Sequence, residues 1–362
     1  MAPTISEIYG IQKPIHPYIE ALNKFPDYNL FSSYVGIEVE VEAIKNEVNQ
    51  TPAIWVSKED GSLRNNGIEY VSYPTPSKKC PAIFSHLQEK LKENNTPSFS
   101  VRTSTHIHID VTDMTIPQIQ SFLLLYLCFE DVLFSIAGEE RRENIFCVPL
   151  VDTQYVERVS GIFTHSLSNY NFNKLLLSWD KYTGINLKPI SSFGTIEFRH
   201  LKGTDDVLLF KNWLSVILKL KKKAMENSCQ SLYKTIEALN TNSEYHQFAM
   251  YIFEEKYQVL PTLLEEKMEN CVSHIKEWFS NIPSPEVDQE KFISSSFFKI
   301  LKVKKKVDNI DYIKELEEKL QILLIEYGKS NTANRQEEIR KEYTKLEKEL
   351  TRLKNTNFHE EW

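Results

Sequence analysis

Four stretches of the chain alternate polar and apolar residues with the two-residue period of a half-buried strand. In Gly36-Ile37-Glu38-Val39-Glu40-Val41-Glu42, three carboxylates fall on one face and Ile37, Val39 and Val41 on the other. In Ser104–Val111, His106, His108 and Asp110 share a face opposite Ile107, Ile109 and Val111. Ile68–Ser72 sets Glu69 and Val71 against Tyr70, and Gly194–His200 sets Glu197 and Arg199 against Ile196 and Phe198. A further short strand is predicted at Ile54–Val56, and Asp60-Gly61 and Asn65-Asn66-Gly67 read as turns. Helical spacing covers Tyr18–Lys24, Pro81–Glu93, Asn173–Asp180 and the stretch after Thr115-Ile116-Pro117, where Thr115 caps and Pro117 suits a first turn, up to Ala137. An amphipathic helix over Val207–Glu226, capped by Thr204 or Asp205, opens a helical stretch that runs to about Lys299, broken at Pro261 and at Pro283 and Pro285.

The C-terminal end has a different rhythm. Ile313, Leu316, Leu320, Leu323 and Tyr327 fall at spacings of three and four, as do Ile339, Tyr343, Leu346, Leu350 and Leu353. With Gly328–Asn334 between them, these two runs predict an antiparallel helical hairpin of coiled-coil type over 307–356. It either packs on its own domain or serves as an arm for a second copy (a homo-oligomer) or another protein. The expected organisation is therefore an N-terminal segment (1–30), a sheet-bearing core (31–206), its helical completion (207–300) and the hairpin (307–356).

The polar faces carry the chemistry. Carboxylates two apart on a strand lie roughly 6.5–7 Å apart, and like charges that close repel unless a cation sits between them. For a lone His-x-His a solvated strand face is the competing reading; four such faces together point to a divalent cation bound on a sheet. Glu and Asp oxygens suit Mg2+, with Mn2+ as the alternative.

A formal net charge of −7 gives no support for general nucleic-acid binding, and the basic runs Lys219–Lys223 and Lys302–Lys306 read as solvated helix ends. Five scattered cysteines without a Cys-x-x-Cys pair argue for a reducing compartment and against structural zinc. The first thirty residues lack a basic start followed by an apolar core, so no secretion signal is expected. The most apolar run, Phe122–Ala137, includes Glu130 and Asp131 and reads as a buried helix too short to span a bilayer. A soluble, cytoplasmic protein without a membrane partner is the expectation.

Taken in order, Gly36-x-Glu38-x-Glu40, Asp60-Gly61-Ser62, Glu69-Tyr70-Val71-Ser72, His106-x-His108, Thr195-x-Glu197-Phe198-Arg199 and Gly203-Thr204 form a pattern that resembles the amidoligase family of glutamine synthetase-like carboxylate–amine ligases, over roughly residues 34–206. The resemblance implies an α+β fold in which a curved, mainly antiparallel sheet is backed by outer helices. It implies ATP-dependent amide formation through an acyl phosphate, with small-molecule or peptide amines and carboxylates as substrates. Glu38, Glu40, Glu69 and Glu197 would hold Mg2+ ions, with His106 or His108 completing one site. Arg199 would stabilise the transferring phosphoryl group, Asp60 would bind the incoming amine or a metal-bound water, and Arg64 would lie near a substrate carboxylate. His108 and Asn186 would contact the nucleotide, and Arg141, Arg142 and Cys147 lie where the family often carries similar residues. One departure stands out: Thr103-Ser104-Thr105 precedes His106 where the family often has a Gly-containing turn.

Two other classes remain open on the sequence. A metal-dependent hydrolase could use His106, His108 and Asp110 to activate water, and a non-catalytic ligase-like module could act through the hairpin. The ligase needs ATP for any turnover; the hydrolase does not.

Overall fold

In a computed structural model, the described residues are 2–12, 17–45, 54–153, 167–261, 263–280, 320, 323 and 339–348. The chain divides into two compact units, Met1–Pro283 and Ser284–Trp362.

The larger unit is built on an open antiparallel sheet of seven strands: β1 (Tyr34–Val41), β2 (Trp55–Glu59), β3 (Ile68–Ser72), β4 (Thr75–Pro76), β5 (Thr105–Asp110), β6 (Ile185–Asn186) and β7 (Thr195–Phe198). Their spatial order is β2-β3-β1-β5-β7-β6, with β4 also paired to β1. All four alternating stretches form adjacent central strands. Alternation is what such a position requires, because one face must pack and the other stay polar.

The apolar face is completely buried at Ile37, Val39, Val41, Tyr70, Ile107, Ile109, Ile196 and Phe198. Three helices cover it: α3 (Cys80–Asn94), α4 (Ile116–Ala137) and α7 (Val207–Glu226). Phe84 of α3 stacks on Phe210 of α7 with centroids 4.2 Å apart, and Phe198 of β7 meets Phe122 of α4 and Trp213 of α7, each at 6.0 Å. The other α-helices among the described residues of this unit are α1 (Ile5–Tyr9), α2 (Ile19–Leu22), α5 (Asn169–Ser178), α6 (Ile190–Phe193), α8 (Cys229–Ala238), α9 (Asn242–Phe253) and α10 (Leu264–Ser280). Helix α1 is tied to the turn before α4 by Ile5 N–H to Met114 O (2.8 Å) and Ser6 N–H to Thr112 O (3.0 Å).

Helix α4 starts at a capping box between Thr115 and Gln118, with Pro117 in its first turn. At 22 residues it exceeds the apolar run read from the sequence and is long and apolar enough to cross a membrane by length and composition. Here 83% of its apolar window is buried inside the fold. It is apolar all round because it is the central core helix.

Two local readings are corrected. Asp206, not Thr204 or Asp205, caps α7, accepting from Leu208 N–H (2.8 Å) and Leu209 N–H (3.0 Å), while Thr204 Oγ1 accepts the Asp206 N–H at 3.0 Å. The lysines of 219–223 are not a solvated helix end: Lys219, Lys221 and Lys223 are buried. Lys221 Nζ lies 2.8 Å from Asp113, and Glu254 gathers Lys219, Lys222 (3.0 Å) and Lys223 (2.9 Å). Long aliphatic stems pack while the ammonium groups reach carboxylates supplied from elsewhere.

Within the smaller unit, residues 339–348 are helical, with Ile339 and Tyr343 buried one turn apart. The rest of the predicted 307–356 hairpin, apart from Leu320 and Leu323, lies outside the described residues.

Candidate active site

Strand register brings the polar faces into one row. Across β1 and β3, Glu40 faces Glu69; across β1 and β5, Glu38 faces His106 and Gly36 faces His108. His108 in turn faces Glu197 on β7, and Glu197 faces Asn186 on β6. A Cβ on Gly36 would meet the Cβ of His108 at 3.4 Å, so glycine leaves this ring room beside β1.

The row resolves into two clusters. Glu38, His106 and Glu197 each offer a ligand atom within 4.8 Å of the others. His106 Nδ1 lies 3.2 Å from Glu38 Oε2 and 3.5 Å from Glu197 Oε1. His108 Nε2 approaches Glu38 Oε1 to 3.3 Å, and its Nδ1 is 3.1 Å from Thr195 Oγ1. Asn186 Nδ2 donates to Glu197 Oε2 at 2.6 Å, and Arg199 Nη1 donates to Glu197 Oε1. The second cluster is Glu40, Asp60 and Glu69, again within 4.8 Å. Asp60 reaches it from the turn after β2, where its Oδ1 also accepts Ser62 N–H at 2.8 Å.

Their electrostatics differ. Burial disfavours charge on Glu38 and Glu197. The hydrogen bonds and charges of His106 and His108 outweigh this at Glu38, and Arg199, His106 and His108 do so at Glu197, holding both carboxyls below the usual range. Glu197 and Glu40 in turn raise the Arg199 pKa against its burial. Glu69 goes the other way. Burial and the charges of Glu38, Glu40 and Asp60 push its carboxyl up to about 7, against the pull of Lys58, its cross-strand neighbour. Two carboxylates within 4.8 Å of each other repel by at least roughly 3 kcal/mol at an effective dielectric of about 20. This donor set, carboxylate-only in one cluster and carboxylate plus imidazole in the other, fits hard divalent cations.

All the residues expected to bind metal (Glu38, Glu40, Glu69, His106 and Glu197) fall in the two clusters, and Asp60 joins them. Arg199 and Asn186 sit beside Glu197, and His108 lies next to Glu38. Arg64 is placed differently. Its guanidinium bonds Gly61 O (3.2 Å) and Leu63 O (3.1 Å) of its own turn, and its backbone N–H donates to Glu42 Oε1 at 2.9 Å. Glu42, the third carboxylate of its strand face, is buried and holds this turn. Asp110 likewise stays local: its Oδ1 accepts from Thr112 N–H (2.9 Å) and Thr112 Oγ1 (2.6 Å), starting the turn into α4.

Two residues near the row escaped a sequence-based role. Arg141 is fully buried, and its Nη2 donates to Arg199 O at 2.9 Å, fixing the backbone where Arg199 leaves β7. Ser104 contacts both Glu40 and His106. Its position two residues before His106 places it on the same strand face, a signal present in the alternation. Cys147 is buried and, despite Arg141 and Arg199 nearby, burial pushes its thiol up to about 11, which fits packing rather than nucleophilic use.

Comparison with known proteins bears on this row. Residues 56–221 match the family described as "Putative amidoligase enzyme". The match spans β2 to α7, and so includes Asp60, Glu69, His106, His108, Asn186, Glu197 and Arg199 of the amidoligase-like region, while β1 with Glu38 and Glu40 precedes it. Among solved structures, one titled "Crystal structure of novel glutamine synthase homolog" aligns at a TM-score of 0.35 and 8% identity, over 73% of this chain and 70% of that one. No curated protein matches the chain.

Proposed function

We propose that this protein is an ATP- and Mg2+-dependent carboxylate–amine ligase. One observation carries the reading: within and beside the amidoligase-matching region, β1, β3, β5 and β7 align two cation-sized ligand clusters with an arginine paired to their last glutamate. Glu38, His106 and Glu197 would hold one Mg2+ and Glu40, Asp60 and Glu69 another, with Mn2+ as a substitute. Bound there, the cations would neutralise polyphosphate charge and orient the γ-phosphoryl group.

The chain's own residues supply the rest. Arg199 keeps its charge and has a planar fork suited to phosphoryl oxygens. Glu197 and the Phe146 carbonyl, which accepts from Arg199 Nε at 3.1 Å, aim that guanidinium. In the reaction, a substrate carboxylate oxygen attacks the γ-phosphorus and ADP leaves. The amine nitrogen then attacks the acyl carbon, phosphate departs with the C–O electron pair, and the amine loses a proton. Asp60 is the candidate to orient the amine, and Asn186 and His108 flank the nucleotide side. Arg64 would contact a substrate carboxylate only by leaving its turn. Asp110, the third ligand of the hydrolase reading, is in neither ligand cluster, and its Oδ1 accepts from Thr112 instead.

The test is product analysis by mass spectrometry with ATP, Mg2+ and pools of amines and carboxylic acids. The expected result is an amide formed together with ADP and phosphate in equal amounts. Turnover of an amide or ester without ATP would contradict the ligase reading.

A further inference from the structure

Ser104 stands at the junction of the two clusters. Its backbone N–H and its hydroxyl both point at Glu40 Oε2, at 2.7 and 2.6 Å, and the same Oγ lies 2.6 Å from His106 Nε2. Ser104, Glu40 and His106 are all buried, so water does not compete for these contacts. A serine hydroxyl has one proton to give. Glu40 Oε2 already accepts the Ser104 N–H, so it is the acceptor for the hydroxyl too. The Ser104 oxygen is then left to accept, and the ring nitrogen facing it, Nε2, must carry a hydrogen. The opposite arrangement, with the hydroxyl donating to a bare Nε2, would leave two oxygens 2.6 Å apart with no proton between them. With Nε2–H fixed, Nδ1 is the nitrogen presented to Glu38 Oε2 and Glu197 Oε1, at 3.2 and 3.5 Å; without a cation its proton makes the Glu38 hydrogen bond, and a cation would take that proton's place.

We propose that Ser104 is a positioning residue that links the two clusters: by donating to Glu40 and accepting from His106 Nε2–H, it turns the Nδ1 lone pair of His106 toward the cation shared with Glu38 and Glu197. This rests on the metal reading above. The pattern is that of an outer partner which fixes the tautomer of a ligating histidine, here with a second ligand, Glu40, at its other end.

The experiment is Mn2+ binding to the full chain, followed by electron paramagnetic resonance, for wild type, Ser104→Ala and Ser104→Thr. Thermal melts accompany each variant. In Ser104→Ala, Mn2+ affinity should fall about 10–100-fold, the usual cost of losing an outer partner, and Ser104→Thr should recover most of it. If wild type binds Mn2+ and Ser104→Ala binds equally well, the role of Ser104 is wrong while the metal reading stands. If wild type binds no Mn2+, the metal reading falls and takes this inference with it. Should Ser104→Ala fail to fold, nitrogen-15 spectra of Mg2+-saturated wild type decide: His106 protonated at Nε2 alone is the expected state, and a proton on Nδ1 overturns the proposal.

Discussion

The two clusters lie side by side on one sheet, yet the protein treats their charge differently. Around His106, each carboxylate has a cationic or hydrogen-bonding neighbour from the chain itself: Glu38 has two imidazoles, and Glu197 has Arg199 and Asn186. Around Glu69, three carboxylates converge; Ser104 and Ser62 give Glu40 and Asp60 neutral hydrogen bonds, and Lys58 is the cation that acts on Glu69. The first cluster is largely neutralised from within, while the second is left in need of charge from outside. The lesson is about division of labour: the His106 side has its groups aimed before anything binds, and the Glu69 side is where cation binding should change the protein most.

The strongest way to break this comparison is to remove the internal compensation. Arg199→Ala should lower ATP turnover by at least about 10²-fold, the scale for losing a group that stabilises transition-state charge, while circular dichroism shows the fold retained. Activity within a few-fold of wild type would remove Arg199 from the phosphoryl site.

A smaller effect sharpens the contrast from the other side. The folded chain holds a proton on Glu69 up to about 7, whereas the ordinary value is 4.5. The stability contributed by that protonation is fully present below 4.5 and is lost as pH rises through about 7. Metal-free protein should therefore lose Tm across this window, by on the order of a few degrees. Glu69→Gln should flatten the loss, and Mg2+ should restore Tm at the alkaline end. A metal-free Tm that climbs over the same window, unchanged in Glu69→Gln, would contradict the crowding of this cluster.

The smallest expected effect concerns Gly36. Its added Cβ would sit 3.4 Å from that of His108, at the near edge of ordinary van der Waals contact, at a position with no positive φ. Gly36→Ala should change Mn2+ affinity about twofold, within the range of a ±0.5 kcal/mol substitution. A loss as large as that of Glu38→Ala would mean that His108 cannot shift at all.

Much of this site is legible in the sequence because strand alternation sorts residues by face. Glu38, Glu40, Glu69, His106 and Glu197 needed only the period of two to be placed on a polar surface. Their partition into two clusters was not legible, because it follows from register: Glu40 pairs with Glu69 but Glu38 with His106, and only antiparallel pairing across distant segments decides that. Loop residues were harder still. Asp60 and Arg64 lie in one turn, yet Asp60 points to the cluster while Arg64 folds back onto Gly61 and Leu63. The lysines of α7 misled for a related reason, since their partners Asp113 and Glu254 come from other parts of the chain. Helix α4 and the span of α7 followed directly from apolar spacing and proline placement.

The central claim is that the aligned carboxylates hold the cations that bind ATP. Calorimetric titration of ATP, without and with Mg2+, into wild type and the Glu38→Ala/Glu40→Ala double variant tests it most directly. Wild type should bind ATP only with Mg2+ present, and the double variant should lose that binding. ATP binding that is equal in both proteins, or no ATP binding alongside tight zinc binding, would contradict it.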